Sequence, residues 1–501
     1  MRSNLAVARS AVFLGVAATL AVACGAARGP TERVRAARPS RTEPSCHYDV
    51  AVVRATAGLD VVAHCSGGAT TGFAGDPHLA TFTTDVRDAR GVALPHDGMR
   101  WTVTASDDVE ARYHVDLDGA ARALGDVDTA FVFGGSVVAP LSSYALVPEP
   151  PRAGTASLRV RPVAGTEFVT ELARDAGGYT IALTDVPDST YGVFGRFEHD
   201  VVELGGIHGR ASVDVLSLDG TFALSRAERK AWVARDAEAV ARFYGGFPGE
   251  RVGVVLIPDP GRDRVGFGKV LSTGGSTIVL HLGANTERSA LDSDWVLVHE
   301  MFHVGFPAVH RDGMWLDEGL ATYIEPLIRA RAGMLTEAEG WAEVIRDMPR
   351  GVRLCETTGL RNFGGDIRSV YWGGAVVALL ADVEARRATN GARGLEDALR
   401  AVLAKGYDAR HVVAVDEAIR LIDEVFGAPI LAALAAKYAD HGSPVPLDGV
   451  LSDLGIERSG RDVRLHDDAP MAFARRAILY GAGKGPPSNR AFPLPGALTS
   501  R

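Results

Sequence analysis

The spacing of hydrophobic positions changes period along the chain. From Tyr48 to about Leu218 they fall in short β-type runs, among them Tyr48–Ala55, Trp101–Ala105, Ala111–Leu117, Ala130–Phe133, Ser157–Val163, Tyr179–Leu183 and Ala211–Leu216. Gly, Pro and Asp separate these runs at roughly ten-residue intervals, which predicts a β-sandwich-like domain. At Ser225 the period lengthens. Ser225–Tyr244 (SRAERKAWVARDAEAVARFY) has apolar residues at helical spacing, a Ser N-cap and Gly-Gly behind it. Arg251–Ile257 and Thr277–Leu282 read as strands and Asp292–Gly305 as a helix, and the chain is then mostly helical to about His441. The expected fold is α+β and multidomain. An N-terminal β-sandwich-like domain covers 46–220, a small sheet lobe with a helical lobe covers 221–445, and 446–501 is a short C-terminal segment. Its Gly/Pro/Ser-rich end from Gly481 is predicted to be disordered.

The first residues follow a different pattern. Arg2 and Arg9 flank a polar stretch, and Ala11–Val22 is apolar, small and too short for a permanent membrane helix, so 1–24 reads as an export signal. It ends in Leu20-Ala21-Val22-Ala23-Cys24. Small residues before a Cys resemble a bacterial lipobox, with Cys24 lipidated and the protein anchored to the cell envelope. Ala21-Val22-Ala23 suits ordinary cleavage and secretion equally. Residues 25–45 hold one Val and no other large apolar side chain, and read as a flexible tether. No later apolar run reaches about 18 residues. Outside the cytoplasm, Cys46 and Cys65 can form a disulfide or stay as two buried thiols, which leaves Cys355 unpaired.

Charge narrows the function. Lys and Arg number 53 against 62 Asp and Glu, a formal net charge of −9, which argues against a nucleic-acid binder. Only five of the basic residues are Lys, so Arg clusters here say little about function. The informative segment is His299-Glu300-Met301-Phe302-His303. On a helix, positions i and i+4 lie about 40° apart, so both imidazoles project toward one point. Zinc accepts such a His pair, and Glu300 can take a proton from the attacking water. With 14 His in 501 residues, chance supplies roughly 0.02 such matches. Twelve positions beyond His303, Trp315-Leu316-Asp317-Glu318-Gly319-Leu320-Ala321-Thr322-Tyr323 begins a second predicted helix, with Glu318 fifteen positions beyond. Glu318 there completes a His₂Glu set for one zinc per chain, with a fourth position open. Thr322, one turn later, is placed to support a ligand imidazole. His310 competes as third ligand, at a spacing that suits a metal less well.

These motifs resemble those of the gluzincin metallopeptidases, in which a later Glu follows HExxH. WLDEGLATYIE is similar to the aminopeptidase form. Tyr371-Trp372-Gly373-Gly374-Ala375 resembles the family's Y-x-K-G-A block, which implies that the Tyr371 hydroxyl assists the oxyanion; the alternative is a core Tyr on an amphipathic helix. Among gluzincins the resemblance is strongest to the glycyl-aminopeptidase family, which implies a β-domain before a thermolysin-like catalytic domain. Here Gly373 stands where the family has Lys, the gap from His303 to Glu318 is short, and the C-terminal segment is too short for a PDZ-like domain.

The expected function is therefore an exported, zinc-dependent peptidase that acts on peptides or proteins, aminopeptidase-like. Endopeptidase action and a non-catalytic metal-binding envelope lipoprotein are the alternatives. The segment Ser276–Leu282 after Gly274-Gly275 is the candidate edge strand for a substrate backbone. An aminopeptidase also needs a carboxylate for the α-ammonium. Gly268–Thr277 contains none, which leaves Glu325 and Asp317 as candidates and Lys269 as a repelling charge.

Overall fold

The computed structural model describes residues 43–53, 58–98, 100–362 and 364–481. The export signal with Cys24, nearly all of the 25–45 tether and the tail from 482 lie outside the described residues. No helix among the described residues is long and apolar enough to cross a membrane.

The first strands are β1 (Ser45–Val52), β2 (Gly58–Ala74), β3 (Thr83–Asp88) and β4 (Arg100–Asp116), followed by helix α1 (Leu117–Leu124). Next come β5 (Phe131–Phe133), β6 (Ser136–Pro140), β7 (Val147–Glu149), β8 (Thr155–Arg161), β9 (Glu167–Thr170), β10 (Ala173–Asp175), β11 (Gly178–Ala182) and β12 (Tyr191–Gly195). They form an eight-stranded sheet, β10-β11-β8-β1-β2-β4-β3 with β7 beside β2, and a four-stranded sheet, β5-β6-β12-β9. The two sequence runs Trp101–Ala105 and Ala111–Leu117 are one strand, β4, whose exposed middle around Asp107-Asp108 breaks the apolar pattern without breaking the strand. Cys46 and Cys65 face each other in the β1–β2 register and form a disulfide, while Cys355 is free and buried.

A third sheet holds β13 (Phe197–Gly206), β14 (Gly209–Leu218), β15 (Arg251–Asp259), β16 (Val265–Leu271) and β17 (Ser276–Gly283), in the order β13-β14-β15-β17-β16. The four-stranded sheet lies between the other two, and alternation along β6 shows how. Val137 and Ala139 join the core under the eight-stranded sheet, while Val138 packs with Leu216, Val255, Ile257 and Val279 of the third sheet. A strand covered on both faces reads as a continuous apolar run, as Ser136–Pro140 does.

Two expectations are corrected here. β13 and β14, placed by the sequence before a boundary at 220, pair with β15 in the third sheet, so the change of sheet comes between β12 and β13. β17, the expected edge, is bonded to β15 on one side and β16 on the other, so the edge strand is β16.

On its other face the third sheet carries α2 (Arg226–Tyr244). Ser225 and Glu228 bond each other's backbone N–H at its start, a capping box that fixes where the helix begins. The chain continues through α3 (Arg288–Leu291), α4 (Val296–His303), α5 (Met314–Arg331), α6 (Glu337–Ile345), α7 (Met348–Glu356) and α8 (Ile367–Ala388), then further helices to Tyr480. Residues 447–480 form two helices and a hairpin. Leu451, Leu454, Ile478 and Leu479 lie in the same core as α4, α5 and α8, so most of the C-terminal segment belongs to the helical lobe.

Candidate active site

Helix α4 begins later than the hydrophobic spacing suggests. The Asp294 carboxylate accepts the backbone N–H groups of Val296 and Leu297 at 3.1 and 3.4 Å, which satisfies two of the orphan donors at the helix start. All eight residues of α4 are buried. His299 and His303 leave the same face, with ring centroids 5.1 Å apart. β16 passes over Glu300 with Gly268 at the crossing. A Cβ at 268 would lie 2.8 Å from Glu300 Cγ and from Val296 Cγ1, so this close approach requires glycine.

The third donor comes from α5, just past its first turn. Glu318 Oε2 lies 3.1 Å from His299 Nε2 and 3.6 Å from His303 Nε2. One donor atom from each of His299, His303 and Glu318 falls within 4.8 Å of the others. The Asp317 carboxylate sits 2.9 Å from His303 Nδ1, which orients that ring and leaves Nε2 for the shared point. Tyr371 is brought in by a tight helix crossing. A Cβ on Gly319 would lie 2.4 Å from Gly374 Cα, and one on Gly374 would lie 1.8 Å from the Trp315 carbonyl oxygen. The α5 and α8 backbones touch there, three residues beyond Tyr371. The Tyr371 ring lies nearly parallel to that of His299, with centroids 6.5 Å apart. Gly373 faces α7 and Leu360, where its Cβ would meet Leu360 Cδ2 at 2.3 Å, so a Lys at this position has no room.

The electrostatics suit a cation. Burial raises the Glu300 carboxyl above the usual range; the two imidazoles oppose this and the Glu318 and Asp317 charges reinforce it. Burial works against a charged His303, yet Asp317 and Glu318 outweigh it and raise its pKa well above the ordinary value. Burial likewise works against the Glu318 carboxylate, and hydrogen bonds from His299 and His303 overcome it. Tyr371 is pushed up by burial and by the Glu318 charge. Three carboxylates around two imidazoles, with donor atoms converging and an outer carboxylate on His303, fit a divalent metal with nitrogen and oxygen ligands.

His299, Glu300, His303, Glu318 and Tyr371 all line one cleft of about 820 Å³. Thr322 is half-buried on α5, and the group beside His303 Nδ1 is the Asp317 carboxylate. His310 is exposed and outside the donor group. Glu325 is buried and paired with Arg329, and Asp317 is engaged by His303, so neither is placed to receive an ammonium group. Lys269 does line the cleft, paired with Asp128 from the loop before β5. Asp294, Gly268 and the Gly319–Gly374 crossing were not singled out from sequence. A capping Asp two residues before the helix start was the one readable signal among them.

No known family profile matches the chain, and no curated protein matches its sequence. Solved structures do share its fold. An aminopeptidase N family protein from Idiomarina loihiensis aligns with a TM-score of 0.61 at 13% identity, over 82% of this chain and 78% of that one. An M1 zinc metallopeptidase from Deinococcus radiodurans aligns at 0.51 and 16% identity, over 80% and 94%. A mutant of the Deinococcus protein, described as bound to the substrate Tyr-Ser-Ala, aligns at 0.51 and 16%, over 81% and 96%. The arrangement of sheets and helices that carries His299, His303 and Glu318 is thus a fold shared with an aminopeptidase N family protein and with an M1 zinc metallopeptidase.

Proposed function

We propose that the chain is an exported zinc-dependent peptidase, aminopeptidase-like, held at the cell envelope by a lipid on Cys24. The observation that carries the catalytic part is the convergence of His299, His303 and Glu318 beside Glu300 in one open cleft. The shared fold supports it, as does the small peptide bound by a structural neighbour. Zinc, when bound, polarises a carbonyl and lowers the pKa of water. Glu300, buried and not engaged as a ligand, takes the proton of the attacking water and delivers it to the leaving amine. The Tyr371 hydroxyl donates to the oxygen on which negative charge develops, a contact typically worth a few kcal/mol of barrier. β16, as the sheet edge, offers unpaired backbone groups to an extended peptide.

Metal analysis, followed by hydrolysis of a peptide library with and without chelator, tests this reading. Glu300→Gln is expected to retain about one zinc per chain and lose hydrolysis; hydrolysis that survives it rejects the mechanism. Tyr371→Phe is expected to lower kcat more than it raises KM. Cys24→Ser is expected to release the protein from membranes, and a soluble product with Cys24 intact rejects the anchor alone.

A second reading, endopeptidase action, is favoured by the engagement of Asp317, Glu325 and Asp128 with other partners. A matched pair of peptides with free and acetylated N-termini separates the two. Equal cleavage rejects aminopeptidase action.

A further inference from the structure

Five of the 53 basic residues of the chain are Lys, and one of them, Lys269, lines the active-site cleft. Besides the donor group, Glu300 and Asp317, the charged side chains lining the cleft among the described residues are Lys269, Asp128 and Asp188. Lys269 is thus the one Lys or Arg that faces a bound substrate there.

The amine is held close to the chemistry. Gly268, the residue before it, crosses directly over Glu300, and a Cβ there would lie 2.9 Å from Glu300 Oε1. Consecutive α-carbons are about 3.8 Å apart, so a peptide paired along β16 with its scissile bond at Glu300 sets a neighbouring residue beside Lys269. Lys269 stands opposite Val279, on the face of β16 turned to the four-stranded sheet, and there its amine meets the Asp128 carboxylate. β16 is the edge of its sheet, so side chains on this face border the cleft as do those facing α4, and Lys269, Asp128 and Glu300 line it together. The loop that carries Asp128 is fixed by the buried Tyr191, whose hydroxyl donates to the Val127 carbonyl at 2.8 Å. Burial raises the pKa of that hydroxyl, and the charges of Asp128, Asp126 and Glu300 add to the rise, so the ion pair and Glu300 both lie within electrostatic reach of one group.

The ion pair leaves Lys269 with capacity to spare. An ammonium has three N–H donors, and Asp128 is its one acceptor among the described residues. The Asp128 side chain is 62% exposed, and an ion pair so open to water is weak, so a second carboxylate can share Lys269 or replace Asp128. Arg would grip Asp128 through a fixed fork, whereas the compact, rotatable amine of Lys suits two acceptors. The charge is also the reverse of what an α-ammonium requires. We infer that Lys269 receives a substrate carboxylate next to the scissile bond, from an Asp or Glu side chain or from a free C-terminus, so that the enzyme prefers peptides with an acidic group at that place. This rests on the peptidase reading above and adds the charge that the cleft selects.

The test compares zinc-loaded protein on paired peptides, with Glu against Gln on either side of the scissile bond and a free C-terminus against its amide. One pair is expected to show at least about tenfold higher kcat/KM for the acid, which identifies the source of the carboxylate. Lys269→Met is expected to reduce that ratio to about twofold or less, and Lys269→Arg to keep most of it. No preference in any pair overturns the proposal. So does a Lys269→Met protein that slows acidic and neutral peptides in equal proportion, because Lys269 then only ties β16 to the loop before β5. Calorimetric binding of the same pairs to zinc-loaded Glu300→Gln protein needs no turnover. Tighter binding of the acid that disappears when Lys269→Met is added supports the subsite even if hydrolysis is absent and the peptidase reading has failed. Tighter binding that survives Lys269→Met puts the carboxylate on the metal and overturns the subsite, as does equal binding of acid and neutral peptides.

Discussion

Replacing Gly374 with Ala tests the claim that backbone contact between α5 and α8 sets the active-site geometry. The new Cβ would lie 1.8 Å from the Trp315 carbonyl oxygen and 2.7 Å from Gly319 Cα, whereas real Cβ contacts essentially never fall below 3.0 Å. Both obstacles are backbone, so no rotamer change relieves them. The helices must part by about 1.2 Å, the difference between 3.0 and 1.8 Å. Overpacking of this kind costs about 1–3 kcal/mol of stability. The same displacement moves Tyr371 away from Glu318, and a misplacement near 1 Å can cost about 100-fold in rate. Thermal melting and kcat/KM on a cleaved peptide measure the two effects separately. Gly449→Ala is the control. A Cβ there meets nothing within 4 Å, so stability should hold or rise by about 0.5–1 kcal/mol. A Gly374→Ala protein with wild-type melting temperature and wild-type kcat/KM would refute the reasoning, because it would mean that the helix contact positions nothing.

Other consequences follow from single contacts. Asp317→Asn keeps the size of the group that orients His303 but removes its charge, and should weaken zinc binding about 10- to 100-fold in a chelator competition. Cys46→Ser opens the β1–β2 disulfide and should lower stability by about 2–4 kcal/mol in denaturant, with zinc content unchanged, since that core is separate from the α4–α5 core. Glu171, between β9 and β10, is pushed up to about 8 by burial, against the pull of Arg251 and with the Asp214 charge adding to the rise. Its carboxyl is protonated in the fold and ionised in the unfolded chain between about pH 4.5 and 8. Its contribution to stability is therefore full below about 4.5 and lost as pH rises to about 8. Urea melts of Glu171→Gln across that window should show a flatter pH dependence than wild type, and an identical slope would remove Glu171 from the account.

What could be read from the sequence was local. His299, Glu300 and His303 are fixed by one helical turn, and Glu318 by its place at a helix start, so spacing alone brings out the donor set. Asp317 as the partner of His303 was not legible, because helical spacing gives a face and not a direction. Side chains on a helix lean toward its N-terminus. The start of α5 is the end next to α4, so Asp317 reaches back to His303 while Thr322 stays a turn deeper. The sheet was legible as strands and illegible as an order. Ser276–Leu282 is a largely continuous apolar run, whereas Val265–Leu271 is broken by Gly266, Gly268 and Lys269, and the place of each in the sheet depends on pairing with β15, a partner remote in sequence. The boundary at 220 failed for the same reason, since Ala211–Leu216 alternates identically whichever sheet it joins.

The Tyr371 block shows a third kind of limit, in which residue types are visible and their purpose is not. Read as a catalytic motif, Gly373 stands where a Lys is expected. In the fold the same glycine is a packing residue against α7, and its neighbour Gly374 lets α8 lie on α5. The two glycines thus do for Tyr371 what Gly268 does for Glu300: each removes a Cβ so that a backbone can come close enough to place one reactive group. The proposed chemistry of this cleft depends on four side chains that spacing reveals, His299, Glu300, His303 and Glu318, and its geometry depends on glycines whose role only the tertiary contacts disclose.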